Sequence, residues 1–282
     1  MSKLIITLSV LYIIACTPSG AEDTKAFKED TVKSVTTAQA SPVVLKQNSQ
    51  KVIHVFVALC DNKYQGIVPV PAGIGNGQNE NTNLYWGCGY GVRTYFKNST
   101  NWKYISATKK PKTHVLERCV FKHKKTGTIL VADAYDGEFM DETLLAFFQA
   151  GAGYPGDSVL VDSTYYYTSG SAELVAFVGH NGLLDHPLYD TFSRKDTLTR
   201  QAIMLCCAAT ANFTPYLETA GMYPLLWTTN LMAPEAYTLH DAIETWLSGG
   251  DGKAVEMAAA TAYNKYQKCG MRGALNLFDT GF

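Results

Sequence analysis

The strongest constraint on this chain is a set of short apolar runs without polar alternation. The runs are Val52-Ile53-His54-Val55-Phe56-Val57-Ala58-Leu59, Ile129-Leu130-Val131-Ala132-Asp133-Ala134, Leu174-Val175-Ala176-Phe177-Val178, Ala202-Ile203-Met204-Leu205 and Leu225-Leu226-Trp227. A strand covered on both faces has no reason to alternate apolar with polar, so such runs read as central strands of a parallel sheet. Between them lie helical patterns at residues 84–96, from Asp141 as N-cap to the stop at Gly151-Ala152-Gly153, at 214–220, at 234–247 with Pro234 in the first turn, and at 253–268. The alternation predicts an α/β fold with a mostly parallel central sheet and helices on both faces. With 282 residues, 46% of them hydrophobic, the chain can bury the core of one large domain of this kind.

The remaining segments read less regularly. Residues 113–121 and 128–135 form a strand pair across Lys124-Lys125-Thr126-Gly127, and 158–162 form a short strand. Tyr165-Tyr166-Tyr167 begins a loop that extends to Ser171, the tyrosines serving as amphipathic cover. The loop at 66–83 contains Gly73-Ile74-Gly75-Asn76-Gly77 but neither GxGxxG nor a Walker lysine, so it shapes a site wall rather than binding phosphate.

At the N-terminus, Met1-Ser2-Lys3 precedes an uncharged apolar stretch over 4–15, too short to span a bilayer and proportioned as a secretory signal. It ends in Ile13-Ile14-Ala15-Cys16, which resembles the lipobox of bacterial lipoproteins. That resemblance implies that 1–15 is a signal peptide, that Cys16 is lipidated, and that the protein is anchored to a membrane of the bacterial cell envelope, facing periplasm or exterior. Residues 16–50 are rich in Ser, Thr, Lys, Gln and Ala without apolar periodicity and read as a flexible tether, leaving 51–282 as the folded domain. Lys and Arg total 24 against 25 Asp and Glu, a balance that argues against nucleic acid as a partner. Cys60, Cys88, Cys119, Cys206, Cys207 and Cys269 form neither a disulfide framework nor a CxxC metal pair, so neither zinc nor another cofactor is indicated.

Two of the apolar runs end in groups capable of covalent chemistry. One leads into His180-Asn181-Gly182 and the other into Cys206-Cys207, and the C-terminal ends of parallel strands are where open α/β sheets carry their sites. A thiol attacks as thiolate and needs a neighbouring base or cation, which His180 supplies. Backbone N–H groups near Gly182 and at the nucleophile would meet the oxyanion. Asp61, at the end of the first strand, is a candidate for orienting His180 or binding substrate, while Asp133, Asp136, Glu235 and His186 read as capping or solvated residues.

The order of these elements resembles the caspase-like cysteine peptidases of clan CD, nearest the CHAT and separase pattern. The matching residues are Phe177-Val178-Gly179-His180-Asn181-Gly182 and Ile203-Met204-Leu205-Cys206-Cys207-Ala208. The tail extends the likeness through Ala220-Gly221, Leu225-Leu226-Trp227, Pro234-Glu235-Ala236, Leu247-Ser248-Gly249-Gly250 and an alanine-rich last helix. The resemblance implies a caspase-like three-layer sandwich and a His180–Cys207 dyad that hydrolyses a peptide or protein through a thioester, with Cys206 filling the small-residue position before the nucleophile. Asn181 departs from the glycine that the family places after histidine. That departure supports the alternative, a caspase-like binding or scaffolding lipoprotein without activity.

Overall fold

The computed structural model describes residues 45–282. The expected signal peptide 1–15, the lipidation site Cys16 and the rest of the tether up to residue 44 lie outside the described residues. Among the described residues, no helix is long and apolar enough to cross a membrane.

Strand β1 (Val52–Ala58) lies inside the sheet with every residue buried. It pairs in parallel with β4 (Ile129–Tyr135) on one side and β7 (Leu174–Val178) on the other. Beyond β7 the parallel array continues through β8 (Gln201–Leu205) and β9 (Tyr223–Thr228). Antiparallel strands close the edges: β3 (Val115–His123) and β2 (Trp102–Lys112) beyond β4, and the two-residue β10 (Phe278–Asp279) beyond β9. The order is β10-β9-β8-β7-β1-β4-β3-β2. The chain leaves β1 toward β4 but leaves β7 toward β8, so the strand order reverses beside β1, where open α/β sheets form a crevice.

Side chains of a strand alternate between faces, and β1 divides accordingly. Ile53, Val55 and Val57 enter the core under α1 (Val92–Asn98), α4 (Ala236–Leu247), α5 (Gly252–Gln267) and α6 (Met271–Leu277). Val52, Phe56 and Ala58 enter the core under α2 (Met140–Gly151), α3 (Ala209–Ala220) and the separate hairpin β5 (Pro155–Val161)–β6 (Thr164–Ser169). The result is the expected α/β architecture, a mostly parallel sheet between two helical layers.

Several elements differ from the sequence reading. The helix expected over 84–96 is confined to α1, because the buried side chain of Asn83 organises turns ahead of it. Its Oδ1 accepts from the N–H groups of Cys60 and Tyr85, and its Nδ2 donates to the carbonyls of Cys60 and Asn76. The tyrosine segment read as a loop is β6, whose Tyr166 packs inward and Tyr165 outward. Helix α3 begins at Ala209 rather than 214, and Asp141 sits in the first turn of α2 rather than capping it, the N-cap being Phe139. Pro234 precedes α4 instead of opening it. The end of the expected tether is fixed to the domain: Asn48 donates to the carbonyls of Tyr167 and Ser171 and accepts from Tyr167 N–H.

Candidate active site at the strand ends

Val178 of β7 stands opposite Leu205 of β8, and one further ladder bond runs from Gly179 N–H to the Leu205 carbonyl at 3.2 Å. His180 and Cys207 each lie two residues beyond the Val178–Leu205 pair, past the ends of the two strands. Val178 and Leu205 point toward the layer of α1, α4 and α5, and Cys207 Sγ meets the backbone of Met232, whose side chain packs against that same core. Cys206, one position out of phase, is fully buried in the opposite core with Phe213 and Met204. The doublet is therefore divided, with the Cys206 sulfur in packing and the Cys207 sulfur against the Met232 backbone. Glycine is required at 179, where φ is +155° and a Cβ would come within 2.9 Å of the Ala58 carbonyl oxygen.

His180 is 8% exposed, and its Nε2 lies 2.8 Å from Asp185 Oδ2. Asn181 brings that carboxylate round. Its Oδ1 accepts from Leu183 N–H at 3.1 Å and opens a 3-10 turn at Gly182–Leu184, after which Asp185 and His186 N–H both fold back onto the Gly182 carbonyl. With Nε2–H directed at Asp185, the ring is held in one tautomer, and Nδ1 makes no hydrogen bond to protein among the described residues. Asp61 does not serve this purpose. Its four acceptor contacts are with Lys63 and Tyr64 N–H, Gly77 N–H and Gln78 Nε2, which together fold the 61–78 loop.

Cys207 lies on a sharp strand-to-helix turn. Its Sγ receives Met232 N–H at 3.4 Å and is 3.7 Å from the Met232 carbonyl, so one peptide segment can serve both thiolate and thiol. Ala208 follows in the left-handed region at φ 48°, a conformation costing a non-glycine residue on the order of 1–3 kcal/mol. Its N–H donates to Asn230 O at 3.0 Å, and Ala209 N–H donates to Thr228 Oγ1 at 3.2 Å. The twelve-residue α3 then starts directly behind the sulfur, an arrangement that favours negative charge there. Asn181 Nδ2 donates to the Cys207 carbonyl at 2.7 Å, linking the two strand ends.

The other buried thiols are unsuited to the same chemistry. Burial pushes Cys60 up to about 11 and Cys119 up to about 12, and it raises Cys206 well above the ordinary thiol range. Gly182 and His186 line a groove of about 270 Å³ beside Asp185, where a Cβ on Gly182 would strike Met140 Cγ. Glu235 hydrogen-bonds Tyr237 and Gln267, and Asp136 bonds Gln78, so neither reaches the histidine. Asp133 is a core residue, fully buried in β4.

Sequence reasoning missed Asp185 and the Met232 backbone. Asp185 had a readable signal, an acid within one short turn of His180 after Asn181-Gly182, a pair that favours tight turns. Met232 had none, because a peptide N–H carries no residue signature. Comparison with family models, with curated proteins and with solved structures gives no match to this chain.

Proposed function

We propose that this protein is a cysteine-dependent hydrolase of caspase-like type, acting on a peptide or protein substrate and held at the bacterial cell envelope by lipid on Cys16. The observation that supports the reading is the register of β7 and β8, whose last pair is Val178 with Leu205, so that His180 and Cys207 each follow two residues after the same level of the sheet. His180 Nδ1 takes the Cys207 proton, and the thiolate attacks the scissile carbonyl carbon. The negative oxygen is met by backbone N–H groups. Those of Asn181 and Cys207 donate to no protein group among the described residues. The imidazolium then protonates the leaving amine, the C–N bond breaks, and a thioester remains on Sγ. Water, deprotonated by the same histidine, releases the acid and restores the thiol. Asp185 holds the ring through Nε2.

A thiol-directed covalent probe on the purified protein tests this reading. Labelling of wild type and Cys206→Ala is expected, with loss in Cys207→Ala and a drop of roughly 10²–10⁴ in rate for His180→Ala. Labelling indifferent to both His180 and Cys207 would remove the dyad and leave a binding or scaffolding protein.

A further inference from the structure

We infer that the Asn181 side chain is a positioning group for the nucleophile, standing in for a sheet hydrogen bond so that the backbone N–H of the same residue stays available to substrate; the inference rests on the His180–Cys207 reading above. In a parallel ladder that begins with Gly179 N–H on the Leu205 carbonyl, the next bonds would run from Cys207 N–H to Gly179 O and from Asn181 N–H to Cys207 O. Neither forms. The Cys207 carbonyl is taken instead by Asn181 Nδ2 at 2.7 Å. The strands stay joined at this level while neither backbone N–H donates to a protein group among the described residues.

The same contact grips the peptide that follows the nucleophile. Its carbonyl is held by Asn181, and its N–H, belonging to Ala208, is held by Asn230 O at 3.0 Å. Ala208 is left-handed at φ 48°, a state that persists only where the surroundings enforce it. Asn181 is itself fully buried and fully used: Nδ2 also reaches Asn212 Oδ1 at 3.3 Å, and Oδ1 accepts Leu183 N–H at 3.1 Å. A glycine at 181 would leave the Cys207 carbonyl to recapture the backbone N–H or to rotate away. Either movement shifts the sulfur relative to His180. Asparagine thus fits both tasks at once, joining the strand ends through its side chain and the turn to Asp185 through its oxygen.

The test is alkylation of Cys207 in the full chain by iodoacetamide as a function of pH, read by mass spectrometry of the Cys207 peptide. Asn181→Asp keeps the acceptor for Leu183 but sets a carboxylate against the Cys207 carbonyl. It is expected to alkylate about tenfold more slowly at neutral pH, with the midpoint of the pH profile displaced from that of wild type. Adding Ala208→Gly, which relieves the left-handed strain, is not expected to restore the rate, because the carbonyl is still unheld. Asn212→Ala, which loosens the amide without altering residue 181, is expected to slow the reaction about threefold and covers the case in which the Asp variant fails to fold. Wild-type rate and midpoint in folded Asn181→Asp, while His180→Ala shifts both, would overturn this inference and leave the dyad standing. A lowered melting temperature with an unchanged midpoint marks a merely structural role and also overturns it. If His180→Ala itself changes nothing, the dyad fails first.

Discussion

Two histidine–carboxylate pairs lie on neighbouring strands, and they differ in what is left unbonded. His54, inside β1, donates from Nε2 to Asp133 at 3.2 Å, and its Nδ1 accepts from Ser169 N–H at 3.1 Å. Asp133 is gripped further by Arg118 through Nε at 2.6 Å and Nη2 at 2.8 Å, and both members of the pair are 0% exposed. Every nitrogen of that imidazole is committed, and water is excluded. His180 also gives Nε2 to a carboxylate, but Asp185 is 34% exposed and Nδ1 bonds no protein group among the described residues. The first pair therefore belongs to architecture and the second can move a proton. Position along the strand makes the difference: mid-strand residues are closed in by both helical layers, whereas residues past the last ladder bond face the crevice.

The largest expected effect separates them by stability. Asp133→Ala leaves Arg118 buried without its main partner and is expected to cost about 3–5 kcal/mol in urea unfolding. Asp185→Ala is expected to cost less than about 1 kcal/mol, as for other partly exposed ion pairs. Equal losses in the two variants would erase the distinction. Next in size is the effect on reactivity. Asp185→Asn replaces the carboxylate that holds the His180 ring and is expected to slow labelling of Cys207 by roughly tenfold, below the effect of removing the base itself. An unchanged rate would mean that the carboxylate only fixes the turn.

The smallest effect is in the pH dependence of folding. Burial lowers the pKa of His54 against the opposing pull of Asp133. Burial acts to raise that of Asp133, but hydrogen bonds from Arg118 and His54 outweigh it and hold the carboxyl far below its usual range. Both folded values lie below the unfolded ones, so in acid the unfolded chain binds protons that the folded chain refuses. Stability is full above about pH 6.5, begins to fall below it through His54, and falls further below about 3.9 through Asp133. Urea midpoints measured from pH 8 to 4 should decline only on the acid side of that window. His54→Gln should flatten the first part of the decline, and a decline unaltered in that variant would place its origin elsewhere.

The central strands were readable because burial on both faces leaves nothing in β1, β4, β7, β8 and β9 except apolar residues and a few paired polar ones. Strand β2 was not readable. It is a half-exposed edge carrying Lys103, Lys109, Lys110 and Lys112, the composition by which edges resist further pairing, and it looks like loop. Residues 84–96 mislead in the opposite sense, since helical spacing there is overruled by turns built on one buried asparagine. Within the site, His180 and Cys207 could be found as residues at the ends of runs. Their companionship with Asp185, Met232 and the Asn181 amide could not, because those contacts join backbone and side-chain atoms across loops.

The sequence by itself determined the α/β layering and the two strand ends on which a base and a thiol sit, because burial imposes a pattern on composition. Only the tertiary structure decided which sulfur is buried and which meets the Met232 backbone, which acid holds the histidine and which amide bridges the two strands. Those outcomes depend on register and on one-residue parity. A shift of one position exchanges the two faces of a strand while leaving its composition unchanged.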